Sequence, residues 1–150
     1  MKNRSTYEGL QGQVRTMKTP KIDVWKNQYP DREYTIDLSI PEFTCICPKT
    51  GLPDFAVIQI SYGPIHACLE LKSFKEYIVF YRNVGIFHEH AINKMLDDIV
   101  KACRPRWVEV EGAFNSRGGI QTTVRATYPL EDDQRNRKAT RAAQLSPNEK

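Results

Sequence analysis

The sequence has no run of about 18 apolar residues, so no segment is predicted to span a membrane. Its first residues, Met-Lys-Asn-Arg-Ser, are polar and lack the apolar stretch of a secretory signal. Cysteine is scarce, and its four positions have neither the spacing of a disulfide framework nor that of a zinc-binding CxxC pair. We therefore expect a cytoplasmic protein with free thiols and no metal site.

The middle of the chain also has no excess of positive or negative charge. The 22 Lys and Arg against 18 Asp and Glu give a formal net charge of +4. Residues 34–130 contain ten of each sign, so the positive excess lies in the first 33 and the last 20 residues. A folded nucleic-acid-binding domain concentrates positive charge. We therefore expect a small anionic ligand and no direct contact with nucleic acid.

A GxGxxG motif is absent, which excludes a Rossmann dinucleotide-binding fold. Apolar alternation predicts four strands, and apolar repeats at three and four predict two helices. These are strands 34–40 and 55–62, helices 73–82 and 87–103, and strands 107–114 and 120–128. This ββααββ order favours an α+β domain, an antiparallel sheet with both helices on one face. The uncovered face and open edges favour assembly through the sheets into a ring or barrel.

The chain divides into three parts on composition. Residues 1–33 predict a loosely ordered N-terminal arm, residues 34–130 a single domain, and residues 131–150 a polar C-terminal tail. Within the domain, residues 66–71 are predicted to continue the second strand. Ser73, with Glu76 three residues later, is predicted as the N-cap of the first helix.

The stretch from Cys47 to Asp54 is the best candidate for an active site. Pro48 ends the preceding strand because it has no N–H to donate, and glycine and proline keep the chain turning until Asp54. A thiol and a carboxylate at the two ends of one short loop suit a nucleophile and a proton donor. Most cysteines, however, are small buried hydrophobic residues, and that alternative stays open for Cys47 and is favoured for Cys45.

Three further clusters have a functional and a structural interpretation. Phe87-His88-Glu89 begins a helix and could anchor a ligand, or Glu89 could merely favour the helix dipole. Lys72 and Lys75 lie one turn apart at a helix start and could meet a phosphate, or could simply be solvated. Arg117-Gly118-Gly119 could contact a ligand, or could form a hairpin turn.

These residues fall into motifs that resemble one enzyme family. The motifs are Phe43-Thr44, Cys47-Pro48-Lys49-Thr50-Gly51, Pro53-Asp54, Glu70-x-Lys72-Ser73-x-Lys75-x-Tyr77, Arg82-Asn83, Phe87-His88-Glu89 and Arg117-Gly118-Gly119. In this order, from about residue 34 to 128, they resemble the short, single-module NADPH-dependent 7-cyano-7-deazaguanine (preQ0) reductases of queuosine biosynthesis. The resemblance implies a tunnelling fold, in which sheets of several subunits form a barrel with active sites at the subunit interfaces.

The resemblance also implies a reaction and a set of site residues. The nitrile of preQ0 would be reduced to the aminomethyl group of preQ1 by two NADPH without a metal. Cys47 would be the nucleophile that forms a covalent thioimide, Asp54 the proton donor and His88 an assisting residue. Implied substrate-binding residues are Glu89, Phe87, Glu70 and Ser73, and implied cofactor-binding residues are Lys72, Ser73, Lys75, Tyr77 and Arg117.

Two other classes of protein remain open at this point. A pterin-forming cyclohydrolase of the same superfamily would share the anchoring glutamate but requires metal ligands. A non-enzymatic RNA-binding module would account for the basic ends of the chain.

Overall fold

A computed structural model describes residues 9–129. Its strands are β1 (Val24–Lys26), β2 (Ile36–Ile46), β3 (Pro53–Gly63), β4 (Ala67–Leu69), β5 (Trp107–Phe114) and β6 (Thr123–Tyr128). Its α-helices are α1 (Leu71–Phe80) and α2 (His88–Cys103), and short 3-10 turns occur at Val14–Thr16 and Tyr81–Asn83. The predicted α+β class is confirmed, as are its antiparallel sheet and two central helices.

The main sheet is antiparallel and has the strand order β2-β3-β5-β6. Alternate residues of β3, from Ala56 to Tyr62, are buried, as the period-two pattern predicts. Together with the buried residues of β5, they form the sheet face that α1 and α2 cover. Phe55 and Val57 point to the other face and are exposed. The sheet therefore has one covered face and one open face.

Helix α2 packs closely on the sheet because β5 carries a glycine beneath it. A Cβ atom on Gly112 would lie 2.5 Å from Cδ1 of Ile92, a separation that real Cβ contacts do not show. The helix ends at Cys103, and its C-cap Arg104 adopts a left-handed conformation with φ of 44°. Pro105 follows, and it cannot continue the helix. The core is therefore formed by the covered sheet face and the apolar side of α2.

Strand β2 continues through Pro41, where the sequence pattern weakens. Proline is tolerated there because β2 is an edge strand of the main sheet. A β-bulge lies between Ile40, which pairs with Ile58, and Phe43, which pairs with Ala56. Two residues of β2 therefore lie opposite one residue of β3.

Within residues 1–33, for which a loosely ordered arm is predicted, the structure contains one strand, β1, that the sequence does not indicate. This strand pairs antiparallel with β4 in a small second sheet, so residues 67–69 do not continue β3. Val24 and Trp25 are largely exposed, whereas Asn27 is buried and its side-chain amide donates to the carbonyl of Ile65. The division into arm, domain and tail stays a prediction, and residues 131–150 lie outside the described part.

Helix α1 begins two residues earlier than predicted. Glu70 is its N-cap, and its carboxylate accepts from the amides of Lys72 and Ser73 at 2.8 and 2.7 Å. The predicted N-cap Ser73 lies inside the helix, where its hydroxyl donates to the carbonyl of Glu70. A predicted strand through Leu71 is therefore also wrong. Within residues 9–129, no helix is long and apolar enough to cross a membrane.

Candidate active site

The loop from Cys47 to Leu52 joins β2 to β3 and is closed by two backbone hydrogen bonds. The amide of Cys47 donates to the carbonyl of Leu52 at 2.8 Å, and the amide of Gly51 donates to the carbonyl of Cys47 at 2.9 Å. Gly51 adopts φ of 70°, a left-handed conformation that favours glycine. The loop is therefore a defined turn, and Cys47, at 8% exposure, is held at its base.

Asp54 lies on the covered face of the sheet, at the first buried position of β3. It pairs across the strands with Cys45 and is only 4% exposed. A buried carboxylate requires partners, because an unpaired charge away from water is strongly unfavourable. Two other elements of the fold supply them.

His88, the first residue of α2, is one of these partners. Its Nε2 atom lies 2.9 Å from Oδ2 of Asp54. Its ring stacks on Phe114 of β5, with centroids 3.7 Å apart and planes within 7°. The start of α2 and the sheet therefore fix the orientation of the imidazole against the carboxylate.

Arg117 is the second partner, and it comes from a tight turn after β5. The backbones of Arg117 and Ile120 exchange two hydrogen bonds, and Gly118 and Gly119 both have positive φ. From this turn Nη1 of Arg117 donates to Oδ1 of Asp54 at 2.6 Å. Its Nη2 atom lies 3.3 Å from Nε2 of His88. The structure thus brings Arg117 beside the predicted catalytic residues, a placement that the sequence analysis missed.

The electrostatic environment shifts the pKa values of the thiols of Cys45 and Cys47 in opposite directions. Burial would raise the pKa of the Cys47 thiol, but hydrogen bonds from the Thr50 hydroxyl, the amides of Thr50 and Lys49, and Arg117 lower it below its ordinary value of 9.0. Burial, reinforced by the Asp54 carboxylate, raises the pKa of Cys45 to about 12. Of these two thiols, Cys47 is therefore the one whose surroundings favour the thiolate form.

We expect iodoacetamide to alkylate Cys47 at pH values where an ordinary thiol is mostly protonated. Cys45 and Cys103, each with a pKa of about 12, should stay unmodified in the folded protein. Arg117→Ala should move the midpoint of Cys47 alkylation to higher pH, because the thiolate loses a donor. Peptide mass spectrometry over a pH series measures this, with Arg125→Ala as the matched control. An unchanged midpoint in Arg117→Ala would contradict the assignment.

Glu89 and Phe87 flank His88 at the beginning of α2. The carboxylate of Glu89 is exposed, while Phe87 is partly buried with its ring centroid 6.0 Å from that of His90. Both residues are therefore next to His88 in the chain, at the end of α2 that carries the Asp54–His88 pair.

The second predicted cluster, residues 70–77, splits into exposed and buried members. Lys72 and Lys75 are exposed on the first turns of α1, where ammonium groups fit the phosphates of a cofactor. The two amides at this helix start are already occupied by Glu70, so the phosphate-binding contribution expected from the helix end is not available. Binding of an anion at this helix start would therefore depend on the side chains of Lys72 and Lys75.

Tyr77 and Ser73 point inward from the same helix. Tyr77 is fully buried and its hydroxyl donates to Oδ2 of Asp98 at 2.7 Å. Ser73 is buried and accepts from the amide of Asp23 at 2.9 Å. Both hydroxyls thus have partners within the chain, and contact of either residue with a ligand stays a prediction.

No three His, Cys, Asp or Glu side chains within residues 9–129 converge on a point that could hold a metal ion. The cluster of Cys47, Asp54, His88 and Arg117 offers a thiol with a lowered pKa, a carboxylate hydrogen-bonded to an imidazole, and a guanidinium cation. These groups suit nucleophilic attack on an electrophilic carbon coupled to protonation of its neighbour.

Comparison with known proteins gives consistent matches. A family model described as QueF-like protein matches residues 53–133. The chain is 53% identical over 107 residues to the NADPH-dependent 7-cyano-7-deazaguanine reductase of Chlorobaculum tepidum, covering 71% of this chain and 92% of that protein. It is 50% identical over 115 residues to the protein of the same name from Chloroherpeton thalassium, covering 77% and 99%. The crystal structure of the archaeosine synthase QueF-Like in the apo form is similar, with a TM-score of 0.58 and 25% identity over 62% of this chain and 91% of that one.

Proposed function

The chain belongs to the family of NADPH-dependent 7-cyano-7-deazaguanine reductases, and from that premise we propose that it reduces the nitrile of preQ0 through a covalent bond to Cys47. It is an oxidoreductase that uses NADPH, and its substrate belongs to queuosine biosynthesis. The observation that carries the proposed mechanism is the buried Asp54–His88 pair, which Arg117 contacts, and the lowered pKa of Cys47 supports it.

The first chemical step is attack of the Cys47 thiolate on the nitrile carbon. A carbon–sulfur bond forms, one π-bond of the nitrile breaks, and the nitrogen takes up a proton, which gives a thioimide. The proton comes from the Asp54–His88 pair, because Oδ2 and Nε2 at 2.9 Å share one hydrogen. A general acid of this kind typically accelerates a reaction by about 10²–10⁴.

Arg117 supports both groups that take part in this step. Its hydrogen bond to the sulfur stabilises the thiolate before attack and again when the sulfur leaves. Its ion pair with Oδ1 fixes Asp54, so that Oδ2 faces His88. Its Nη2 atom also lies 3.3 Å from Nε2 of His88, so the guanidinium contacts both members of the Asp54–His88 pair.

Bound NADPH supplies the hydrides, two for each nitrile that becomes an amine. The chain contributes the site: Lys72 and Lys75 are proposed to hold the cofactor phosphates, and Glu89 the guanine-like edge of preQ0. Contact of Arg117 with the cofactor stays a prediction. Glu70, as the cap of α1, orders the turn that carries both lysines.

Changing both Lys72 and Lys75 to alanine should raise the KM for NADPH by about tenfold, since two charge-assisted contacts with phosphate are lost. Formation of the thioimide from preQ0 alone should continue at the normal rate, because no cofactor takes part in it. Steady-state kinetics and intact mass measure the two effects. Lys101→Ala, an exposed lysine in the last turn of α2, is the control. Equal NADPH affinity in the double variant and the control would make these lysines ordinary surface charges.

The chain is further proposed to act as a homo-oligomer with active sites between subunits. The open face of the sheet, with exposed Phe55 and Val57, and the edge strands β2 and β6 support this arrangement. Action in the cytoplasm without direct contact with nucleic acid stays a prediction from the sequence.

Incubation of the protein with preQ0 alone tests the proposed function. We expect the intact mass to increase by one preQ0 and a new absorbance band to develop as the thioimide forms. Addition of NADPH should then restore the original mass. A protein that neither gains mass nor oxidises NADPH with preQ0 would contradict the proposal. Stoichiometric zinc in such a protein would favour the cyclohydrolase, and steeply salt-dependent RNA binding the nucleic-acid module.

A further inference from the structure

The side chain of Gln11 connects the N-terminal part of the chain to residues 85–87, just before α2, through hydrogen bonds. Its Nε2 atom donates to the carbonyl of Gly85 at 3.2 Å. Its Oε1 atom accepts from the amide of Phe87 at 3.1 Å and lies 3.0 Å from Nδ1 of His90. The backbone amide can only donate and the carbonyl can only accept, so the orientation of the Gln11 side chain is fixed. The same side chain also donates to its neighbour Leu10.

The other side of this segment is bound to the strand that leads to the nucleophile. The amide of Ile46 donates to the carbonyl of Val84 at 2.9 Å, and the amide of Ile86 donates to the carbonyl of Ile46 at 3.0 Å. Ile46 and Gly85 thus form an isolated parallel bridge. Residues 84–87 therefore lie between the end of β2 and the side-chain amide of Gln11. This side chain makes the hydrogen bonds that a neighbouring strand would make on that side.

This segment connects directly to the catalytic cluster on both sides. Cys47 follows Ile46, and His88 and Glu89 follow Phe87. The N-cap of α2 is Phe87, which makes no side-chain capping bond, so the helix start receives no support of that kind. The bonds of Gln11 supply a different support, from outside the helix. Without the bonds of Gln11, residues 84–87 would lose their partner on one side, while the bridge to Ile46 and the contacts of His88 with Asp54 and Phe114 remained.

We propose that Gln11 is a positioning residue, which holds the start of α2 so that His88 and Glu89 face the substrate bound at Cys47. This inference rests on the proposed function, because it assigns Glu89 to the substrate. It concerns geometry rather than the thiol itself, since Gln11 does not contact Cys47. Gln11 should therefore affect substrate affinity, whereas the pH profile of Cys47 alkylation should stay unchanged.

The test compares Gln11→Leu with Gln13→Leu, the same substitution at an exposed glutamine in the same segment. Gln11→Leu should raise the KM for preQ0 by about tenfold, the effect of losing two to three neutral hydrogen bonds. It should also accelerate hydrogen exchange in a peptide covering residues 84–91. Gln11→Glu keeps the acceptor for Phe87 and His90 but cannot donate to Gly85, so its KM should rise only about threefold. Gln13→Leu should resemble the wild type in both measurements.

Each outcome decides the inference. A KM in Gln11→Leu equal to that of Gln13→Leu overturns it, even if exchange is faster, because the role would then be structural only. If Gln11→Leu does not fold, Gln11→Glu carries the test, and an unchanged KM in that variant overturns the inference. A wild-type protein that forms no adduct with preQ0 refutes the proposed function instead, and the exchange comparison still shows whether Gln11 holds the segment.

Discussion

Cys47→Ala should abolish the mass increase with preQ0 and reduce turnover by a factor on the order of 10⁴ or more, as loss of a covalent nucleophile does. The thiol with the lowered pKa is removed, and the neighbouring Cys45, with a pKa of about 12, cannot replace it. The fold should survive, because Cys47 lies in a turn that is closed by backbone hydrogen bonds. Intact mass after incubation with preQ0 measures the effect, and thermal unfolding checks the fold.

Two matched variants sharpen this prediction. Cys45→Ala removes the fully buried thiol two residues away and should keep adduct formation while lowering stability slightly. Cys47→Ser should be almost as inactive as Cys47→Ala, because a hydroxyl has far too high a pKa to supply an anion here. An adduct that persists in Cys47→Ala but disappears in Cys45→Ala would identify Cys45 as the nucleophile.

Asp54→Asn should bind preQ0 but form the thioimide about 10²–10⁴ times more slowly, the usual contribution of a general acid. Asparagine keeps the size of the side chain but holds no proton that it can transfer to the nitrile nitrogen. Arg117, which loses its buried partner, is 52% exposed, so water can solvate its guanidinium and the fold should persist. Rapid-mixing absorbance measurements of the thioimide give the rate.

Glu89→Gln provides the contrast, because its proposed role is binding. One carboxylate can accept two hydrogen bonds from the 2-amino group and ring N–H of preQ0, whereas the amide would place a donor against a donor. Affinity should fall by roughly 1–3 kcal/mol. Both substitutions should be compared in a Cys47→Ala background, where no adduct forms and binding alone is measured. Equal losses of preQ0 affinity at Asp54 and Glu89 would show that anchoring and proton transfer are not divided in this way.

The elements that the sequence predicted well are those with a long, regular period. Strand β3 buries every second residue from Asp54 to Tyr62, and apolar residues of α2 repeat at three and four, so each element has one clearly buried face. Both are confirmed because each is long enough for burial to outweigh local propensity. The short strands β1 and β4 have three residues each and pair across more than forty positions, so no local pattern indicates them.

The candidate site was predictable in its chemistry and less so in its geometry. The spacing of Cys47, Pro48 and Asp54 predicted a loop with a thiol and a carboxylate at its ends. The contact between Arg117 and Asp54 depends on the pairing of β3 with β5 and on a turn with two left-handed glycines, which no residue near Asp54 reveals. Ser73 and Glu70 both fit the composition of a helix start, and only the backbone of residue 70, extended before the helix, decides between them. No motif or periodic pattern in the sequence indicates a role for Gln11.

The β-bulge in β2 determines which side chains of the second half of this strand lie inside the protein. Before the bulge, even-numbered residues such as Ile40 lie opposite the buried residues of β3, and after it the odd-numbered Phe43 and Cys45 do. Directly paired residues share a sheet face. One inserted residue thus changes the parity of the strand, so that Phe43 and Cys45 enter the core and the chain reaches the turn at Cys47. The number of residues between Ile40 and Phe43, rather than the chemistry of any side chain there, sets the inward and outward alternation that brings Cys45 into the core.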